Sequence, residues 1–426
     1  MTTGFVSIGR AAQDRIYRRG TFGYRPTVPT ETARLEAAAK RKLGREAYGY
    51  IAGGAGSGAT MRANREAFDR WRIVPRMGRD TADRDLSLRM FGTVHPHPVI
   101  TAPVGALDLV RSRADVGVAR GARQAGVPMT ISSQAAAPME AIARELGDTP
   151  FWYQLYWPQS DELAVSLVQR AERCGAKAIV VTLDTTSLGW RTEDLDRGFL
   201  PFARALGIAQ YTSDPVFRQQ VRDRIAAPAA VEKPKDPFPR PQAVRALFGM
   251  AKRVPGGFVR NLASPVPRAS VETFLEGFSR QDLTWDRFTW LKQHTSLPVL
   301  VKGVQSAQDV RLALDSGADG MWVSNHGGRQ VDGAVASLTM LPEIVEAAGG
   351  APIIFDSGVR TGSDVAKALA LGADVVAIGR PWTYGLAIAG ANGVTAVLNH
   401  ILAELDLTLS LSGVRAAADL ELRRTN

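Results

Sequence analysis

Thiol chemistry is almost absent from this chain. Cys174 is the single cysteine in 426 residues, which excludes an internal disulfide and any cysteine-built metal site. Histidine is nearly as scarce. Of the five, His95, His97, His294 and His400 are not at ligand spacing, so no metal set is expected. No apolar run approaches the roughly 20 residues a bilayer demands, so no membrane-spanning segment is predicted. The first twenty residues carry arginines but lack the apolar core of a secretory signal, and a cytoplasmic location is the expectation.

Positive charge, by contrast, is in excess: 52 Lys and Arg against 42 Asp and Glu, a formal net charge of +10. That excess invites a nucleic-acid reading. No aromatic-interleaved basic tract supports it, and the densest clusters, Arg15 to Arg19 and Lys40 to Arg45, read as a terminal arm and a solvated helix face. An anionic cofactor and an anionic substrate account for the balance more economically, without nucleic acid or membrane. Hydrophobic residues at 45% and charged residues at 22% are ordinary for a globular protein, here read as one domain over 1–426.

An amphipathic helix is predicted from Glu31 to Gly49, so that 1–45 forms an N-terminal arm and helix. It runs into the glycine cluster YIAGGAGSG at 50–58. A dinucleotide fingerprint needs a strand before its glycines, and here a helix precedes them, so a Rossmann site is rejected. Eight short apolar runs then follow: Pro98–Gly105, Val127–Ser133, Pro150–Tyr156, Ala178–Thr185, Leu297–Gly303, Gly320–Gly328, Ala351–Gly358 and Asp374–Pro381. Helical segments such as Ser306–Asp315 and Gly362–Leu371 separate most of them. Eight buried strands alternating with helices predict a (β/α)8 barrel of the TIM type. An open doubly wound sheet is the alternative, but it does not explain why polar residues recur at the carboxyl end of almost every run. Residues 196–280, between runs four and five, exceed a normal crossover and read as a long lid loop; its proline-rich part is 227–242.

The polar residues at the strand ends carry the chemistry. Ser324-Asn325-His326-Gly327-Gly328-Arg329-Gln330 places a base and an arginine where a strand opens into a loop. His326 can accept a proton, with Asp184 a candidate partner for its other nitrogen. Arg191 and Arg329 offer planar forks for a carboxylate, and Tyr50 a neutral donor. Glycines and arginines after the last two strands, Asp356-Ser357-Gly358-Val359-Arg360 and Gly379-Arg380, stand at the usual phosphate position of this barrel. Lys302 adds a fixed charge in the mouth. A phosphate-bearing cofactor beside a base and a carboxylate clamp describes a flavin mononucleotide enzyme acting on a small organic acid.

SNHGGRQ, VKGV at Lys302, FDSGVRTGSDVAKALALGAD and IGRP together resemble the FMN-dependent α-hydroxy acid dehydrogenase/oxidase family over about 48–415. The resemblance implies that His326 is the catalytic base, Asp184 its partner, and Tyr156 a group near the reacting hydroxyl. It implies that Tyr50, Arg191 and Arg329 bind the substrate carboxylate and Gln134 its side chain. Lys302, Ala102, Pro103, Val104 and Gly105, with Ser132, Gln154, Thr182 and Ser324, would contact the flavin ring and ribityl chain. Asp356, Gly358, Arg360, Gly379 and Arg380 would hold the ribityl and phosphate. The family's reaction is oxidation of an L-2-hydroxy acid to the 2-keto acid; molecular oxygen is the expected acceptor and a homotetramer or homo-octamer the expected assembly. Alternatives are a dehydrogenase using another acceptor, an FMN-barrel isomerase and a silent binding protein. Within the family, GTFGYRPTVP, YIAGGAG and GWR are similar to the lactate 2-monooxygenase branch, where the keto acid is oxidatively decarboxylated. Gly105 fits that branch, because many members carry alanine there and a glycine leaves room by the flavin. Gln134 departs from the bulky apolar residue of many members.

Overall fold

The computed structural model describes residues 7–227 and 240–425. All eight predicted runs contain a strand: β1 (Val99–Thr101), β2 (Met129–Ser132), β3 (Phe151–Leu155), β4 (Ile179–Thr182), β5 (Val299–Val304), β6 (Gly320–Val323), β7 (Ile353–Phe355) and β8 (Val375–Ile378). They pair in parallel, each with its neighbour in chain order, and β8 returns to β1 to close the barrel. The β-branched runs make this possible, because both faces of each strand are buried. Ile100, Trp152, Val180, Leu300, Trp322, Ile354 and Ala377 point inward and fill the barrel. Alternate residues, among them Tyr153, Val181, Val301, Phe355 and Val376, join the core under the surrounding helices.

The barrel's amino-terminal end is plugged by a hairpin that the sequence reading lacked, Leu88–Met90 paired with Thr93–His95. Met90 joins the interior cluster, and the Phe91 ring meets Trp152 edge-on at 5.6 Å. With that end closed, a ligand is left the carboxyl end of the strands.

Three expectations need correction. The predicted helix over Glu31–Gly49 is two helices, Thr32–Lys42 and Arg45–Ala52, because Leu43 turns extended at the first helix's end. A further helix, Ile8–Gly20, precedes them, started by the Ser7 side chain accepting from the Arg10 amide. The interval 196–280 is not a loop where it is described. Helices Pro215–Ala226, Pro241–Arg253 and Val266–Gly277 lie within it. Phe202, Tyr211, Phe274 and Phe278 explain the order: their rings pack at 4.8–5.3 Å in a cluster that only a folded segment can bury. The buried Arg170 locks this segment to the barrel through Asp214 (3.1 Å) and the Gln210 carbonyl (2.9 Å). Most of the proline-rich stretch 227–242 lies outside the described residues.

Helix Ala391–Leu411 is long and apolar enough, by length and composition, to cross a membrane. Its apolar positions pack against helices Ile8–Gly20, Ala114–Ala125, Gly362–Ala370 and Arg380–Ala389. Its buried Asp406 pairs with Arg84 at 2.8 Å.

Candidate active site

The strand ends open into one cavity at the carboxyl end of the barrel. Its wall takes residues from every part of the barrel: Tyr50 from helix Arg45–Ala52, Ala102 to Gly105 after β1, Gln134 after β2, Tyr156 after β3, Arg191 after β4 and Lys302 on β5. His326 and Arg329 follow β6, Asp356, Gly358 and Arg360 follow β7, and Gly379 and Arg380 follow β8.

His326 sits in a backbone conformation that few side chains adopt, at φ 58°, followed by Gly327 at 65° and Gly328 at 74°. Three consecutive left-handed residues fold the loop back over the strand end. A Cβ on Gly328 would lie 2.7 Å from the Met61 amide nitrogen, so only glycine fits there. The Ser324 hydroxyl accepts from the His326 amide, and Asn64 and Asn325 exchange side-chain hydrogen bonds at 2.8 Å that pin the loop to helix Ala59–Asp69. The strain is held because the surroundings over-determine it.

The ring's Nδ1 lies 2.7 Å from an Asp184 oxygen. Asp184 itself lies behind the cavity wall, where it also accepts from Thr185 Oγ1 (2.8 Å) and Lys302 Nζ (3.3 Å). Burial alone would raise the Asp184 carboxyl, but the charges of His326 and Lys302 outweigh it and hold it well below the usual range. Burial lowers the proton affinity of His326, and the facing Asp184 carboxylate offsets part of that. With Nδ1 engaged by an ionised carboxylate, Nε2 is the nitrogen that can take a proton. Burial would likewise strip Lys302, but Asp184 and, at 3.9 Å, Asp356 keep it protonated. Burial raises both Tyr50 and Tyr156, which stay neutral donors.

Around this centre the cavity is rich in buried cations. Arg329 donates to the Tyr50 and Gly53 carbonyls (2.5 and 3.0 Å) and stacks over the Tyr50 ring. Burial, with Arg191 beside it, pushes its guanidinium down to about 9. Arg191 donates to Gln330 Oε1 at 2.8 Å, so Gln330 orients its guanidinium. Arg360 is pushed to about 10 by burial and by Arg380. It donates to its neighbour's carbonyl and forms no ion pair among the described residues. Arg380, by contrast, is spent on the Ile51, Gly327 and Gly53 carbonyls at 2.9–3.1 Å. Arg360 is therefore the freer of the two for a phosphate. Helix Arg380–Ala389 begins at Gly379 with its amide end at the cavity, where a Cβ on Gly379 would meet only Ala102, at 3.8 Å.

Two expectations fare differently. Ser132, Gln154, Thr182 and Ser324 do not line the cavity. The first three form a chain beneath it (3.1 and 3.0 Å), and Ser324 bridges Lys302 (3.0 Å) and Asp356 (2.5 Å). The room expected beside Gly105 is taken: a Cβ there would lie 2.8 Å from the Gln134 Cβ. Thr185, Gln330 and Asn64 were missed. Thr185 and Gln330 adjoin residues already singled out, whereas Asn64 carries no local signal at all.

The family model described as FMN-dependent dehydrogenase matches residues 39–425. The chain belongs to the FMN-dependent α-hydroxy acid dehydrogenase family. It is 40% identical over 409 residues to an FMN-dependent alpha-hydroxy acid dehydrogenase of Penicillium citrinum, covering 96% of this chain and 93% of the relative. It is 38% identical over 389 residues to an L-lactate oxidase of Lysinibacillus sphaericus, covering 91% and 90%. Among solved structures, mandelate oxidase with (S)-4-hydroxymandelic acid superposes with a TM-score of 0.75 at 33% identity, over 93% of this chain and 99% of that one. A mandelate oxidase variant carrying a C4a-OH-FMN adduct gives 0.73 at 32%, over 92% and 99%. FMN is the cofactor of this family member. The residues fit it: a cavity at the strand ends, a half-buried guanidinium with no carboxylate partner among the described residues, and a helix amino terminus at the wall.

Proposed function

We propose that the protein oxidises an L-2-hydroxy acid to the 2-keto acid with molecular oxygen as the final acceptor. The observation that carries this reading is the Asp184–His326 bond at 2.7 Å, with His326 lining a cavity that Arg191 and Arg329 also line. FMN, when bound, accepts the two electrons that leave the substrate's α-carbon. Arg191 and Arg329 bind the carboxylate, Tyr50 donates to it, and Tyr156 donates near the hydroxyl. Nε2 of His326 takes a proton from the reacting centre, and Asp184 stabilises the imidazolium that results. Lys302 offers positive charge where negative charge collects on the ring. Arg360 and the Gly379 helix end bind the phosphate, with Arg380 bracing the loops around it.

The decarboxylating outcome belongs to the lactate 2-monooxygenase branch that GTFGYRPTVP, YIAGGAG and GWR resemble, with Gly105 in support. A Cβ at Gly105 would meet Gln134 at 2.8 Å, and on that ground we favour release of keto acid and peroxide. A homotetramer or homo-octamer in the cytoplasm belongs to the same reading and is checked by light scattering and fractionation. The central test is anaerobic flavin bleaching with L-2-hydroxy acids, then admission of air and product analysis. Bleaching that air reverses, with peroxide and keto acid formed, is expected. Bleaching that air cannot reverse would replace oxygen with another acceptor. Loss of bleaching in His326→Ala with FMN retained is the second expectation; unchanged reduction there would end the assignment.

A further inference from the structure

Gln134 is a polar side chain of the cavity wall that no step of the proposed reaction uses. It is 5% exposed, and its Nε2 is buried without a hydrogen-bond partner among the described residues. Its main chain is fixed on both sides: the amide donates to Ser132 Oγ at 3.0 Å, and the carbonyl accepts from Ala106 at 2.9 Å. The loop that follows is equally held. Ala209 donates to the Ala135 carbonyl, Asp115 accepts from Ala136, and Gln210 donates to the Ala137 carbonyl. These contacts come partly from Ala209 and Gln210 in the interval after β4, so that part of the interval backs Gln134. Opposite it, Gly105 has no side chain. A Cβ at 105 would lie 2.8 Å from the Gln134 Cβ and 3.1 Å from its Oε1. The two positions form a pair in which the small residue makes room for the amide.

A buried amide left unpaired is costly, and a site that holds one discriminates against occupants that cannot satisfy it. We propose that Gln134, accommodated by Gly105, selects 2-hydroxy acids whose side chain carries an oxygen acceptor. This rests on the oxidase reading above and adds the substrate class to it. Nε2 is buried from the cavity, so the amide turns inward to meet the oxygen of such an acid, while the carboxylate is held separately by the arginines.

The test compares pairs that differ in that oxygen: L-glycerate with L-2-hydroxybutyrate, and L-2-hydroxy-4-methoxybutyrate with L-2-hydroxyhexanoate. In the FMN-loaded enzyme, the oxygen-bearing member is expected to reduce the flavin with at least tenfold higher kcat/KM. The matching 2-keto acids, titrated calorimetrically, are expected to bind in the same order. Gln134→Met keeps length and apolar volume and is expected to erase or reverse both preferences. Should that variant fail to retain FMN, Gly105→Ala, which must displace the amide, is expected to diminish the same preferences. Equal treatment of the pairs by the unaltered enzyme, or preferences intact in both variants, would overturn the proposal. Failure of every acid to reduce the flavin, with keto acids still discriminated, would instead remove the oxidase reading and leave the Gln134 selection standing.

Discussion

Replacing Asp184 with asparagine keeps the shape of the carboxylate but removes its charge, and the structure allows the consequence to be worked through. The carboxylate receives three donors: His326 Nδ1 at 2.7 Å, Thr185 Oγ1 at 2.8 Å and Lys302 Nζ at 3.3 Å. A hydrogen bond to a charged group contributes about 1.5–3 kcal/mol, against about 1 for a neutral one. The imidazolium formed when His326 takes its proton thus loses about 0.5–2 kcal/mol of support, or roughly 2- to 30-fold in rate. Lys302 is left leaning on Asp356 at 3.9 Å, which weakens a second charge in the mouth and brings the upper end of the expected loss to on the order of 100-fold. The Asp184 charge also raises the proton affinity of His326. In Asp184→Asn that support is gone, so the acid limb of kcat/KM moves to lower pH while the maximum falls. Anaerobic stopped-flow reduction across a pH series measures both. A loss smaller than about twofold, with the acid limb unmoved, would refute the base–carboxylate assignment.

Three other perturbations separate roles that look alike. Arg360→Gln is expected to weaken FMN about 10- to 100-fold with the fold intact, since a charge-assisted contact of about 1.5–3 kcal/mol is lost; apoprotein titration by fluorescence quenching measures it. Arg380→Gln removes a brace with three backbone carbonyl partners, so thermal stability is expected to fall alongside affinity. Gly328→Ala combines a strained φ of 74° with a 2.7 Å approach to Met61 and is expected to cost about 2–4 kcal/mol, read from urea unfolding. A pH effect stands apart from these. His97, at the closed end of the barrel, has both ring nitrogens buried without partners among the described residues, and burial lowers it to about 4. The unfolded chain binds a proton at His97 below its ordinary value of 6.5, while the folded protein does not. Stability therefore falls as pH drops from about 6.5 toward 4, by up to about 2–3 kcal/mol from this residue. His97→Leu is expected to flatten that part of the curve; an unchanged slope would show that His97 is not its source.

The described parts of 196–280, expected as a lid loop, are largely helical, and Ala209 and Gln210 within them back the loop of Gln134. Proline and alternating charge at 227–242 suggested a loop, but Phe202, Tyr211, Phe274 and Phe278 lie outside that stretch and far apart in the chain. Their burial together is a tertiary event that no local window contains. The same holds for the site. His326, Lys302 and the arginines were readable because each follows a short apolar run, and a closed parallel barrel sends every such position to one mouth. Asn64 was not readable, since its reciprocal bond with Asn325 exists only after a helix near the start of the chain packs against the loop after β6.

The periodicity of eight buried runs was enough to determine the barrel, because strands buried on both faces with intervening helices have few other ways to hide their apolar surface. The chemical types at the run ends pointed to the cofactor class and singled out His326 as the candidate base. The tertiary structure alone decided which polar groups reach the cavity and which satisfy one another beneath it, as Ser132, Gln154 and Thr182 do. It alone decided that Arg360 rather than Arg380 is free for an anion, and that the missing side chain of Gly105 is filled by Gln134. Those distinctions depend on which partner lies within about 3 Å, and hydrogen-bond satisfaction at that range is a property of packing, not of sequence neighbours.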